Sequence, residues 1–137
     1  MTTVANALTS LGIKEWVLRG EPTTEDEFKS MFRKVTGADS NGAAIESSDS
    51  KDWGTTWKAV SDKKKALEDD EPMRLLRIER DKLLAECDWM ANSDVTLSSA
   101  WKNYRQDLRD LPASAKPKLE TNGTLNMSTV NFPTKPS

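Results

Sequence analysis

Two stretches of the chain place large apolar residues at alternating spacings of three and four, which is the period of one face of an α-helix. The first stretch follows Pro72 and has Arg80 within an otherwise apolar row of Met73, Leu76, Leu83, Cys87 and Met90. The second stretch carries the row Leu97, Trp101, Tyr104, Leu108 and Leu111. Because a polar link around residues 92–94 separates the two, the pattern predicts an antiparallel helical hairpin over about residues 72–111.

Two further helices are predicted before the hairpin, and residues 2–11 can form another short one that Gly12 would end. The first begins with a capping box of Thr24 and Glu27 and would be closed by Gly37. Its apolar face is Phe28, Met31, Phe32 and Val35. The second places on one face the residues Trp53, Trp57, Val60 and Leu67. The acidic run 68–71 would end that helix before Pro72 opens the next one.

Alternating residues and turn signals predict the remaining elements. The segment GIKEWVLRG reads as a strand over residues 13–18, with a partner strand expected near residues 41–46 or at the C-terminus. The pair Asn41-Gly42 predicts a tight turn, and the carboxylates around it do not fit the ligand positions of a calcium loop. Asn122-Gly123 predicts a second hairpin, followed by an extended tail that stays free unless Phe132 docks.

Together these elements predict a mainly helical α+β protein with two parts. Residues 1–71 form an N-terminal helical and strand region, which could pack on the second part. Residues 72–137 form the helical hairpin with an extended C-terminal hairpin or tail. A hydrophobic content of 36% over 137 residues allows a modest core, which fits small parts of this kind.

The composition removes several classes of function. The chain has 20 basic and 22 acidic residues, so its net charge of −2 does not favour nucleic acid. It has no histidine, one cysteine and no glycine-rich phosphate loop, so we expect no enzyme activity, no cofactor and no metal. No apolar run approaches the roughly 20 residues that span a bilayer, so we expect no membrane partner.

The hairpin also carries two linked motifs, R-x-x-R-D-x-L-L-x-x-x-D-W and Y-R-Q-x-L-R-D, ahead of an aromatic-Pro-x-x-Pro ending. The first motif consists of Arg77, Arg80, Asp81, Leu83, Leu84, Asp88 and Trp89. The second consists of Tyr104, Arg105, Gln106, Leu108, Arg109 and Asp110. In this order they resemble the tail assembly chaperone family of tailed bacteriophages over about residues 73–136, with Phe132 where the family usually has tryptophan. The N-terminal stretch IKEWVLRGEPTTEDEFKSMFRKVTG is similar to segments of virion structural proteins of phages infecting cyanobacteria.

The resemblance implies a non-enzymatic protein that binds phage tail, tail-fibre or other virion proteins, as an assembly chaperone or as a structural component. It would act in the host cytoplasm during assembly; retention in the virion tail and self-association are left open. The candidate partner-binding residues are Arg77, Arg80, Asp81, Asp88, Trp89, Trp101, Tyr104, Arg105, Arg109 and Phe132. A small regulatory or nucleic-acid-binding module is the alternative from another class.

Three details of the hairpin stay open at the level of sequence. The rings of Trp101 and Tyr104 either form the core of the hairpin or face outward as anchors for a partner. Arg80, inside an apolar row, needs a carboxylate, which Asp88, Asp110 or another chain could supply. Arg77 and Asp81 are four residues apart and could pair on the surface of the helix.

Overall fold

Within residues 2–92 and 94–137, which the computed structural model describes, four α-helices and a three-stranded antiparallel sheet form the fold. The helices are α1 (Val4–Ser10), α2 (Glu25–Met31), α3 (Trp57–Glu86) and α4 (Ser99–Ser114). The strands are β1 (Trp16–Leu18), β2 (Phe32–Ala38) and β3 (Ala44–Ser47), in the order β1-β2-β3. The predicted class, mainly helical α+β, is confirmed.

The chain divides into two compact units. The N-terminal unit is Met1–Asp69 and the C-terminal unit is Asp70–Ser137. Helix α3 begins in the first unit and ends in the second. Each unit has buried clusters of its own.

An aromatic cluster is the core of the N-terminal unit. The rings of Phe28 and Phe32 stack with centroids 4.8 Å apart, and the indole of Trp53 stands nearly perpendicular to both. Around them the buried aliphatic residues are Val4, Ala7, Leu8 and Val60. Each fully buried large apolar side chain contributes about 1.5–3 kcal/mol to folding. This cluster therefore supplies the stability that a sheet of such short strands lacks by itself.

The predicted helix over residues 24–36 is correct only in its first half. Thr24 caps α2 as expected, its hydroxyl accepting from the Glu27 N–H, but α2 ends at Met31 and the chain continues as β2. β2 is the central strand and pairs with β1 through Phe32–Lys34, so the expected partner of β1 near residues 41–46 was wrong. The apolar residues of this segment have helical spacing, but β1 is only three residues long and needs backbone hydrogen bonds from a neighbouring strand. These hydrogen bonds outweigh the helical preference of the segment.

Three predicted turns are present. Gly12 ends α1 with a φ of 77°, and Gly42 and Gly123 take φ of 79° and 87° in the two hairpin turns, a region that favours glycine. The carboxylate of Asp39 accepts hydrogen bonds from the N–H groups of Asn41 and Ala43 at 2.8 and 3.0 Å. This carboxylate therefore stabilises the β2–β3 turn, which joins strands that pair with a bulge beside Gly37.

The predicted break before Pro72 is also wrong, because α3 runs through this proline. An interior proline removes one helical hydrogen bond and costs about 3 kcal/mol. One ion pair at helical spacing precedes the proline, between Lys65 and Asp69 at 3.2 Å, and another spans it, between Glu71 and Arg74 at 2.6 Å. Each contributes little, so the long helical runs on either side of the proline do most to keep the helix continuous. Trp53, expected on the helix, precedes it.

In the C-terminal unit, the second part of α3 and all of α4 form the predicted antiparallel hairpin. Leu76 packs with Leu111 at one end, and Cys87 packs with Tyr104 and Leu108 at the other. The second helix begins after Leu97, the first residue of its apolar row, because the hydroxyl of Ser98 accepts from the Trp101 N–H as N-cap, and it continues past Pro112. No helix in the described part of the chain is long and apolar enough to cross a membrane.

Candidate partner-binding surface

A buried arginine joins the two helices of the hairpin. Arg105 on α4 is only 7% exposed. Its Nη1 donates to the carbonyl oxygen of Leu84 at 3.1 Å and to Sγ of Cys87 at 3.0 Å, and its Nη2 donates to Oδ1 of Asp88 at 2.9 Å. We call this arrangement the Arg105 clasp. Leu84 lies in the last turn of α3, where carbonyl groups lack the usual partner four residues later, and its carbonyl oxygen also accepts from the Cys87 N–H at 3.2 Å. Arg105 adds a second donor from α4, so the clasp caps the end of α3.

The electrostatics of the clasp follow from its geometry. The hydrogen bond that Arg105 donates to Asp88 raises the pKa of Arg105, burial acts in the opposite direction, and the contact with Cys87 raises the pKa further. The guanidinium therefore stays charged. The side chain of Asp88 is 64% exposed, so water screens the ion pair and most of the stabilisation comes from the hydrogen bonds to the end of α3.

The two aromatic rings of the second apolar row lie in the core of the hairpin and at its edge. Tyr104 is 4% exposed and meets Trp101 edge to face, with centroids 5.6 Å apart. Burial raises the pKa of the Tyr104 phenol above its usual value, and the nearby Cys87 and Glu86 act in the same direction. Of the two sequence alternatives, the core role applies to Tyr104, while Trp101 is half-buried at its edge.

The neighbouring motif residues differ from expectation in their pairing. Arg80 donates from Nε and Nη2 to Oδ1 of Asp81, the adjacent residue, at 2.9 and 2.7 Å. Neither Asp88 nor Asp110 supplies its carboxylate, and the expected pair of Arg77 with Asp81 does not form. The side chain of Arg80 is 21% exposed and so lies at the margin of the core. From there its guanidinium reaches both water and the carboxylate of the adjacent Asp81.

A row of cations lies along one side of the hairpin. Lys102, Arg105 and Arg109 follow one another at spacings of three and four, so they share a side of α4. Arg77 lies seven residues before Leu84 and shares its side of α3. Arg77 directly follows the core residue Leu76, as Arg109 directly follows the core residue Leu108, and in an antiparallel pair of helices these positions lie on the same side. We call Arg77, Lys102 and Arg109 the cation row.

The cation row is exposed and has no counter-charge of its own. Across residues 2–92 and 94–137, its three members are exposed and form no ion pair, whereas Arg74, Arg80 and Arg105 each do. Uncompensated cations stay hydrated at little cost until a surface of opposite charge approaches them. This surface can therefore recognise an acidic partner.

Two aromatic candidates lie elsewhere on the C-terminal unit. Trp89 follows the clasp in a short 3₁₀ turn and is 56% exposed, an unusual exposure for so large an apolar ring. Phe132, in contrast, packs against the cluster of Leu76, Leu111 and Val130, so the C-terminal tail is docked. Among the ten candidates, the exposed ones available to a partner are thus Arg77, Asp81, Asp88, Trp89 and Arg109.

Sequence reasoning had Asp88 of the clasp among the candidates, but it missed Lys102 and the carbonyl acceptor of Leu84. Lys102 lies outside the motif, although its spacing of three from Arg105 was a usable signal. The Leu84 carbonyl could not be found, because a backbone acceptor leaves no mark on residue type. In the part of the chain that the structure describes, no three metal-ligating side chains come together.

Comparison with known proteins bears on this same region. Residues 73–137 match the family model described as phage tail assembly chaperone protein, a span that takes in the hairpin and the tail. The resemblance seen in the C-terminal motifs is confirmed, and the match supports a role in phage tail assembly. The resemblance of the N-terminal stretch to virion proteins of phages infecting cyanobacteria finds no support. No curated protein and no solved structure matches the chain.

Proposed function

We propose that the chain is a non-enzymatic assembly protein, which binds other phage tail, tail-fibre or virion proteins through one side of its helical hairpin. The observation that carries the proposal is the coincidence of the family match with an exposed cation row and an exposed tryptophan. The domain responsible would be residues 72–137, with residues 1–71 as a separate region.

The chemistry of recognition would combine charge and burial. The cation row of Arg77, Lys102 and Arg109 would attract an acidic surface and set its orientation, because complementary charge mainly affects the association rate and the choice of partner. Most of the affinity would come from burial of the Trp89 indole, since tryptophan is over-represented among residues that dominate binding energies. Arg105 and Tyr104 would act indirectly, by fixing the helices that present these groups.

The proposal predicts capture of tail or virion proteins from infected cells by the tagged full chain. Trp89→Ala should weaken capture about tenfold or more, since loss of a central aromatic costs roughly 2 kcal/mol or more of binding energy. Its stability should change by less than about 0.5 kcal/mol, because the ring is exposed. The matched control is Met127→Ala, another exposed apolar side chain, which should bind normally.

Mass spectrometry of purified particles separates the two forms of the role. Peptides of this chain in mature particles would identify a component of the virion tail. Their absence, with capture retained from the cytoplasm of infected cells, would identify a transient chaperone. Capture of DNA in place of proteins, lost steeply with added salt, would instead support the nucleic-acid-binding alternative.

A further inference from the structure

An apolar groove lies between the two helices of the hairpin, at the end where Leu76 meets Leu111. Its walls are completed by Met73, Ala115 and Leu125. The C-terminal tail fills this groove with Val130, which is 6% exposed, and with Phe132 two residues later. The occupant thus has the pattern apolar, any residue, aromatic, proline.

The part of the tail that fills the groove is held differently from the part before it. Between residues 118 and 129 the backbone is fixed, for example by the Asn126 N–H on the carbonyl of Lys118 at 2.8 Å. After the Val130 N–H, which donates to Met127, no hydrogen bond involves residues 131–137 within the described chain. Side-chain packing alone therefore holds the last seven residues, which makes them separable from the groove.

We propose that this groove is a docking site for an extended segment of a partner tail protein, with the pattern apolar-x-aromatic-Pro, and that the chain's own tail occupies it until the partner arrives. The proposal rests on the proposed function and identifies the chemistry of a second contact. The tail itself is the evidence for the fit, because its Val130 and Phe132 bury in the groove without a backbone ladder.

An open cleft beside the tail indicates what should follow the proline in the partner. Its volume is about 320 Å³, and it is lined by Asp107, Asp110, Leu111, Ser114, Asn131 and Pro133. The carboxylates of Asp107 and Asp110 favour a cation in this position. The tail carries Lys135 two residues after Pro133, and among the described residues Lys135 forms no ion pair. A partner segment with lysine or arginine after the proline would use both the groove and the cleft.

Competition between the tail and the partner makes the groove selective. A segment on a short tether has an effective concentration on the order of millimolar, so a free segment must overcome that advantage. Weakening the tail should therefore increase binding of a free segment, whereas most substitutions at a docking site reduce it. This gain shows that the tail and a free segment compete for the same groove, and retained helicity of the weakened variants distinguishes a separable tail from one that is a permanent part of the core.

The test is fluorescence anisotropy with a labelled peptide of residues 127–137. The full-length Phe132→Ala variant should bind it at least about tenfold more tightly than the wild-type chain does. The same peptide carrying the Phe132→Ala change should bind neither protein. Adding Asp107→Asn and Asp110→Asn to the Phe132→Ala chain should weaken binding and reduce its dependence on salt. The control is the full-length Met127→Ala variant, changed at an exposed residue, which should bind the labelled peptide no more tightly than the wild-type chain does.

A second variant guards against loss of folding. The chain truncated after Thr129 removes the occupant altogether, and it should also bind the peptide more tightly than wild type. If both variants remain helical by circular dichroism and neither binds the peptide, the proposal is wrong. If both variants unfold, the tail is an integral part of the core, and the proposal is equally wrong.

Three further outcomes separate this proposal from others. A wild-type dimer that dissociates on Phe132→Ala would show that the occupant is the tail of a second copy, which would overturn docking of a partner segment. Failure of peptide binding with normal capture of tail proteins would leave the proposed function standing. Normal peptide binding without capture of any tail or virion protein would refute the proposed function and leave the groove as a peptide site.

Discussion

At the scale of single residues, Arg105 shows how one side chain can serve structure inside a sequence motif that suggested recognition. Its guanidinium is buried and bonded to three acceptors at the end of α3, while Arg109, one turn further along α4, is exposed. The two arginines look alike in the sequence. Because Arg105 is buried, it stabilises the fold, whereas the exposed Arg109 is available to a partner.

This difference predicts unequal effects of the same substitution. Arg105→Met keeps most of the volume but removes the hydrogen bonds of the clasp, so it should lower the free energy of unfolding by about 1–3 kcal/mol. Arg109→Met should change it by less than about 0.5 kcal/mol, as an exposed substitution does. Urea denaturation followed by circular dichroism measures both. Equal effects of the two changes would contradict the role of the clasp.

Tyr104 provides a direct measure of burial, because it is the only tyrosine of the chain. Its pKa lies above the usual value of 10.0 because of burial, so the absorbance of the phenolate should appear at higher pH than in the unfolded chain. A raised pKa means that the folded form holds the proton more tightly. The stabilisation is complete below pH 10.0 and is lost as the pH rises through the folded pKa.

The control for this titration is the same chain in denaturant, which should titrate at the usual value. In Tyr104→Phe, the loss of stability above pH 10.0 should become smaller. A phenol that titrates identically in the folded and unfolded chains would place Tyr104 at the surface, where the partner-facing alternative requires it.

At the scale of elements, the boundary between α2 and β2 is where the sequence pattern and the fold differ most. Gly37 was expected to close a helix, a role that requires a positive φ. It lies instead in β2, outside that region, with open space where a Cβ would stand. Substitution of Gly37 by alanine adds a Cβ atom and tests whether Gly37 lies in a strand or closes a helix.

Gly37→Ala should raise the free energy of unfolding by about 0.5–1 kcal/mol, because glycine within a strand costs that much relative to alanine. Gly42→Ala is the matched control at the turn, where φ is 79°, and it should destabilise by a similar amount or more. Thermal unfolding measures both changes. Destabilisation by Gly37→Ala would favour the helical interpretation.

The elements that could be predicted are those whose signal is local. The rows of the hairpin, the cap at Thr24 and the glycines of the turns depend on spacing or on φ, and all of them are present. The formation of β2 depends on partner strands distant in sequence, and the continuity of α3 depends on the summed stability of its helical turns. A local sequence pattern encodes neither. In the site, exposed charges could be proposed from the motif, but which arginine is buried depends on tertiary contacts.

At the scale of the whole molecule, the family match and the proposed surfaces fall on the same unit. The match covers residues 73–137, which include the cation row, Trp89 and the tail groove. The N-terminal unit has a core of its own and lies outside the match. We therefore expect partner binding to depend on charges of the C-terminal unit, those of the cation row among them.

The most direct test of this claim is quantitative capture of tail and virion proteins from infected cells by charge-reversed variants. Arg77→Glu with Arg109→Glu should reduce capture about tenfold or more, because like charges across an interface repel. Lys116→Glu with Lys118→Glu makes the same change of charge at exposed lysines outside the row and should leave capture unchanged. Full capture by the Arg77 and Arg109 variant, folded as judged by circular dichroism, would contradict the account.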